Sequence, residues 1–258
     1  MPDASLDTLI LSDLHLGSEV SRARDALRLL RASRFRRLIL LGDIFCDLNF
    51  RRLKKQHWQF LSYIRKLSNP KRKVEVVWVE GNHDQGLSEV MSHLVGVRVY
   101  QQYCWEYRGI RHLAVHGHQF DRFGIDNAIL SGLGAFVYLY LQKLDTNSKR
   151  FSRFLDRLNT RWLRLSPKVA AGAIGFARQV GATRVFCGHT HTAMQKEEGG
   201  ITYFNSGCWT QMNPTYVEIG DAGVALRSYP CQFDFEDKLE ESDDSELELS
   251  DATSAWSG

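Results

Sequence analysis

The sequence predicts an α/β fold, and two observations carry that expectation. Apolar runs alternate with amphipathic helical stretches in the order β-α-β-α-β over the first 80 residues or so, the mark of a sheet with crossover helices. Each apolar run also stops on a short polar cluster, which is where such sheets place their ligands.

Element by element, Leu9–Leu11 reads as a short buried strand ending at Ser12-Asp13-Leu14-His15. Ser21–Ser33 has helical spacing, with Ala23, Ala26, Leu27 and Leu30 inward and Arg22, Arg24, Arg28 and Arg31 outward. Arg37–Leu41 is the second strand, ending at Gly42-Asp43. Lys54–Leu67 is a second amphipathic helix. Lys73–Val79 is the third strand, ending at Gly81-Asn82-His83-Asp84. Three strands follow, Val97–Tyr100, Cys104–Tyr107 and Arg111–Val115, with a turn at Arg108-Gly109. The last of them leads into His116-Gly117-His118.

The interval between His116 and Gly188 is too long for a simple connection. Its helical stretches are Asn127–Lys143, Lys149–Leu165 and a segment from Pro167 to about Val180. Strands resume at Thr183–Cys187, which ends at Gly188-His189-Thr190-His191, and continue at Ile201–Asn205, Tyr216–Ile219 and Val224–Ser228. This divides the chain into a core of residues 1–121 and 181–235, a helical insertion of residues 122–180, and an acidic tail of residues 236–258 expected to be disordered.

Bulk properties narrow the chemistry. The net charge of +3 hides an asymmetry: from Gln232 onward there are ten acidic residues and one lysine, so the rest of the chain carries about +12. A basic body favours anionic partners. The five cysteines show no paired spacing, which fits reduced thiols in a cytoplasmic setting and argues against a zinc ribbon. The N-terminus lacks a leader pattern, and no apolar run is long enough to span a membrane.

Any one of the polar clusters alone would be an ordinary turn. Five of them at strand ends, all carrying carboxylate, imidazole or amide groups, suit a pair of divalent cations. Asp43 is the expected bridge, since a carboxylate offers two oxygens. Asp13, His15 and His191 complete one site, and Asn82, His116 and His189 the other. Neutral imidazoles favour Mn²⁺, Fe²⁺ or Zn²⁺ over Mg²⁺ or Ca²⁺, with Mn²⁺ first.

In this order the five motifs resemble the calcineurin-like metallophosphoesterase superfamily over about Leu9 to Gly207. The resemblance implies a four-layer α/β/β/α sandwich and a two-metal centre at which a bridging hydroxide attacks phosphorus. It also implies that His83 contacts the substrate phosphate and can protonate the leaving group, with Asp84 orienting it; the alternative for Asp84 is a helix N-cap or turn. Asn205-Ser206-Gly207 reads as a tight turn, the alternative being support for the metal loops.

Within the superfamily, Ser12-Asp13-Leu14-His15-Leu16-Gly17 and the helical insertion resemble the UDP-2,3-diacylglucosamine pyrophosphatase group. This implies a cytoplasmic enzyme of lipid A biosynthesis, peripheral on the inner membrane, with a cap holding acyl chains. The chain departs from that group at His83, where the group carries Arg, and at His118, where it carries Asp. Hence a soluble phosphodiesterase or nucleotide pyrophosphatase is the alternative, followed by a nuclease and a non-catalytic scaffold. The expected partner is an anionic phosphoester, lipid-linked in the first reading, and no nucleic acid is expected.

Overall fold

The computed structural model describes residues 6–86, 92–93, 95–121 and 166–230. The expected helices at Asn127–Lys143 and Lys149–Leu165 and the acidic tail lie outside these residues.

The first sheet has the strand order β11-β10-β1-β2-β3-β4. Here β1 is Leu6–Leu11, β2 Phe35–Leu41, β3 Glu75–Val79 and β4 Val99–Tyr100, parallel to one another, while β10 (Thr215–Gly220) runs antiparallel to β1 and β11 (Gly223–Ser228) antiparallel to β10. The second sheet has the order β5-β6-β7-β9-β8, formed by β5 (Gln102–Tyr107), β6 (Ile110–Val115), β7 (Arg184–Cys187), β8 (Met194–Glu198) and β9 (Ile201–Asn205). In it β6, β7 and β9 run parallel, and β5 and β8 close the edges antiparallel.

The two-residue period of a strand explains the layering. Leu9, Leu11, Leu38 and Leu40 pack with Ala26, Leu30, Phe60 and Ile64 of α1 (Ala23–Ala32) and α2 (Lys55–Leu67). The intervening Ile10, Ile39 and Leu41 face the other way and pack with Trp105, Ala114, Phe186 and Phe204 of the second sheet. Leu113, Val115, Val185 and Tyr203 cover that sheet's far side, where they meet Ala170, Ala173, Ile174 and Ala177 of α3, a helix over residues 166–179. Strands covered on both faces read as continuous apolar runs. The result is four layers, α/β/β/α.

One boundary moves. The small residues of α3 pack on the second sheet, so residues 166–179 form the fourth layer and not part of an insertion. β8 was not expected: Met194-Gln195-Lys196-Glu197-Glu198 is an edge strand with no buried residue, so it carries no apolar run to betray it.

Candidate metal centre

The strand-end motifs use one local device. Asp13, Asp43 and His189 each stand two residues beyond the end of a strand, after Ser12, Gly42 and Gly188. Their φ angles are 52°, 51° and 65°, in the left-handed region. His15 and His191 repeat it two residues further on, with φ of 47° and 54°. Among the described residues seven non-glycines have positive φ, and five of them are these expected ligands. Asp and His enter this region more readily than most side chains, yet each still costs on the order of 1 kcal/mol. Such strain persists only where surrounding contacts impose it.

Those contacts are on the page. Asp13 N–H donates to the Gly42 carbonyl and His15 N–H to the Asp43 carbonyl, both at 3.0 Å, which zips the first two loops together. His189 N–H donates to Asp13 Oδ2 at 3.1 Å, and His83 N–H to Asp43 Oδ1 at 2.9 Å. Two glycines permit this crowding. A Cβ on Gly188 would collide with the Asp13 carboxylate, and one on Gly42, which also has a φ of 77°, would collide with the His116 ring.

Six side chains converge as two groups, Asp13–His15–His191 and Asp43–His116–His189, with the ligand atoms of each group within 4.8 Å of one another. In the first, His15 Nε2 and His191 Nε2 are 3.1 Å apart, and His191 Nε2 is 3.1 Å from Asp13 Oδ1. In the second, His116 Nε2 is 3.3 Å from Asp43 Oδ2. Asp13 Oδ1 and His116 Nε2 are nonetheless buried without a partner in hydrogen-bond geometry. Buried polar atoms are ordinarily satisfied. Two such orphaned atoms, one in each ligand group, fit a cation.

The electrostatics agree. Burial pushes the Asp13 carboxyl up, but contact with His191 and the charge of His116 hold it below the usual range. Burial acts likewise on Asp43, and the His116 charge outweighs it, leaving the carboxyl well below its ordinary value. Burial lowers His116, yet the Asp43 charge takes it up to about 10. Two buried carboxylates thus draw positive charge toward them, which a cation would supply. His15, by contrast, is held down to about 3 by burial and by His191, which keeps its lone pair available.

The remaining expected residues divide. Asn82 sits between Gly81 and His83, on the turn that abuts Asp43, with its side chain exposed. His83 donates from Nδ1 to the Cys46 carbonyl at 2.7 Å, and its ring stands edge-on to His15 at 5.3 Å. Asp84 does not orient it. The Asp84 carboxylate is buried and accepts from Ile44 N–H at 3.1 Å and Phe45 N–H at 3.0 Å, so it anchors the Asp43 loop. Burial and the Asp43 charge push it up to about 6. The orienting partner of His83 is the Cys46 carbonyl.

Two further supports hold the ligands, of which Asp121 was not expected and Asn205-Ser206-Gly207 follows the alternative to a simple turn. Asp121 is buried, with Oδ2 3.4 Å from His189 Nε2, the carboxylate–imidazole pairing that orients metal-binding histidines. Asn205-Ser206-Gly207 is more than a tight turn. Asn205 Nδ2 donates to the Gly188 carbonyl and to Thr190 Oγ1, while Ser206 Oγ meets Ser12 Oγ at 2.7 Å. Ser12 Oγ also donates to the Gly207 carbonyl, so the segment ties the first and last motif loops together.

A two-sheet α/β sandwich with two ligand groups beyond its parallel strand ends defines a metal-dependent phosphoester hydrolase. The chain belongs to the family described as calcineurin-like phosphoesterase, whose pattern matches residues 6–193. A search of curated proteins found no match. Among solved structures, a Vps29 single mutant from Entamoeba histolytica is 15% identical, covers 87% of this chain and 99% of its own, and has a TM-score of 0.45. A novel archaeal phosphodiesterase is 15% identical over 86% of this chain and 98% of its own, with a TM-score of 0.44. Vps29 from Chaetomium thermophilum is 10% identical over 87% and 97%, with a TM-score of 0.45. No helix among the described residues is long and apolar enough to cross a membrane.

Proposed function

We propose that this chain hydrolyses phosphodiesters or pyrophosphates with two divalent cations. Asp13, His15 and His191 would hold one, and His116, His189 and Asn82 the other, with Asp43 shared. The observation that carries this reading is the meeting of two three-ligand groups, each with one buried ligand atom, Asp13 Oδ1 or His116 Nε2, left without a hydrogen bond. Asp43 suits the shared role because its charge acts on both His116 and His15. The mixed imidazole and carboxylate set favours Mn²⁺, with Fe²⁺ and Zn²⁺ as alternatives. Bound there, the cations supply Lewis acidity toward water and the phosphoryl oxygens.

The chain's own contribution beyond ligation is His83. With Nδ1–H held by the Cys46 carbonyl, Nε2 is the nitrogen that takes up a proton and hands it to the leaving oxygen as the P–O bond breaks. The finer substrate we propose is a lipid-linked pyrophosphate of the UDP-diacylglucosamine type. The first motif and the long insertion support it. So do Val20, Leu48 and Met212, which stand exposed on loops that follow β1, β2 and β9. A soluble nucleotide phosphodiester is the second reading, favoured by His83 and His118 at the two departures from the lipid group.

Hydrolysis of bis(p-nitrophenyl) phosphate with added Mn²⁺ tests the class. Asp43→Ala should abolish both metal uptake and turnover. His83→Ala should keep the metals and lose about 10²-fold or more in kcat. Retained turnover in Asp43→Ala would overturn the shared-ligand assignment.

A further inference from the structure

A cavity of about 330 Å³ opens beside the second ligand group, and hydrolysis as described above makes no use of it. The two share a wall. His118 lines the cavity, and its ring centroid lies 5.6 Å from that of His116 and 6.4 Å from that of His189. A substrate whose phosphorus reaches the ligand groups would therefore extend one of its ester groups into this space.

The lining has an uncommon composition. Four carboxamides surround it: Gln85 beyond β3, Gln101 and Gln102 where β4 passes into β5, and Gln119 beyond β6. Phe120 and Phe176 add two phenyl rings with centroids 6.0 Å apart and planes at 48°. The charged lining residue is Glu80, whose Oε1 accepts Gly86 N–H at 3.0 Å. Lysine and arginine are absent among the described lining residues.

That composition excludes more than it admits. Among the described lining residues a second phosphate would meet a carboxylate and neither lysine nor arginine. An acyl chain would strip water from four amides and return no hydrogen bond, a cost of the kind that buried polar groups avoid. A neutral planar group with donors and acceptors around its edge satisfies both halves of the wall. Each carboxamide offers two donors and an acceptor. Gln119 Oε1 is already taken by Gly117 N–H at 3.0 Å, which leaves its amide hydrogens to donate, and Gln85 Nε2 stands 3.4 Å from His118 Nε2. Phenyl faces stack on heteroaromatic rings with little regard to their identity. The volume falls at the low end of small-molecule sites, the scale of one nucleoside.

The geometry points to a nucleoside-binding pocket. The substrate is a nucleoside ester of phosphate or pyrophosphate, with its phosphorus at the ligand groups and its base among Gln85, Gln101, Gln102 and Gln119. This inference rests on the hydrolase reading and deepens it by assigning the nucleoside to a pocket of named residues beside the second ligand group.

The test uses the full chain with Mn²⁺ and two esters, thymidine 5′-(p-nitrophenyl phosphate) and methyl p-nitrophenyl phosphate. The nucleoside ester should show a kcat/KM at least about 10-fold higher. A Gln101→Ala/Gln102→Ala variant, altered at exposed positions, should raise KM for the nucleoside ester about 10-fold and leave the methyl ester unchanged, because two amide hydrogen bonds are lost. Equal kcat/KM for the two esters, or an equal effect of the variant on both, would overturn the pocket while leaving the hydrolase reading intact. Preference for a glucose 1-(p-nitrophenyl phosphate) ester would overturn it too, in favour of a sugar. Should neither ester be cleaved, the hydrolase reading falls, and calorimetric binding of thymidine 5′-monophosphate decides the pocket by itself. A dissociation constant about 10-fold weaker in the variant, with inorganic phosphate unaffected, sustains it; no binding, or no difference, ends it.

Discussion

Asp84 spends both carboxylate oxygens on the backbone of the Asp43 loop, at Ile44 and Phe45. Hydrogen bonds to a charged acceptor contribute about 1.5–3 kcal/mol each. Less the cost of burying the carboxylate, which already pushes its pKa up, Asp84→Ala should lower stability by roughly 2–4 kcal/mol, read as a drop in urea midpoint, and weaken metal binding through the loosened loop. It should not reproduce the large kcat loss of His83→Ala at full metal occupancy. A loss that large, with stability unchanged, would restore Asp84 as the partner of His83. Asp121 belongs to the same scale. By fixing the His189 ring from outside the ligand group, it should act on affinity. Asp121→Asn is expected to weaken metal binding about 10-fold or more by titration, with the first ligand group keeping its cation. A variant with wild-type affinity at both sites would show that this contact positions nothing.

At the scale of elements, what the sequence discloses depends on how each segment is covered. β1 and β2 lie between two layers, so Leu9–Leu11 and Leu38–Leu41 are apolar without interruption and were legible, as was each polar cluster that stops them. β8 is exposed along its length and was not. Asp121 was illegible for another reason. It is a single polar residue whose role comes from a partner 68 positions away, and no local spacing records that. Asn205-Ser206-Gly207 could be read as a turn or as a support, and only partners 17 and 194 positions away decide. α3 was legible as a helix, but which layer it covers depends on a sheet assembled from distant strands. Asp84 could be read as a cap or as a catalytic partner, and only the position of Ile44 and Phe45 decides.

Two buried imidazoles make element stability pH-dependent. His57, in the first turn of α2, accepts at Nδ1 from Lys54 N–H at 3.0 Å and Gly17 N–H at 3.3 Å. His112, on β6, stacks on Trp105 with centroids 4.9 Å apart. Burial lowers both to about 4, against about 6.5 in an unfolded chain. Folded-state values below the unfolded value mean that the neutral forms contribute fully above pH ~6.5. The contribution is lost as pH falls from there through about 4. The melting temperature should fall across that window, and less steeply in His57→Gln and His112→Gln. A wild-type slope retained in both variants would place the acid sensitivity elsewhere.

At the scale of the molecule, five chain segments far apart in sequence meet at the carboxyl ends of two packed sheets. Backbone hydrogen bonds between the loops, left-handed ligand residues and the Asn205-Ser206-Gly207 strut hold that meeting in place. The body's charge of about +12 against the acidic tail suits an anionic substrate. The central claim is that this meeting holds two neighbouring cations, and anomalous scattering from a crystal grown with manganese tests it most directly. The account predicts two peaks about 3.5–4 Å apart, one against Asp13, His15 and His191, the other against His116 and His189, with Asp43 touching both. A single peak, or none among these six side chains with manganese in excess, would contradict it.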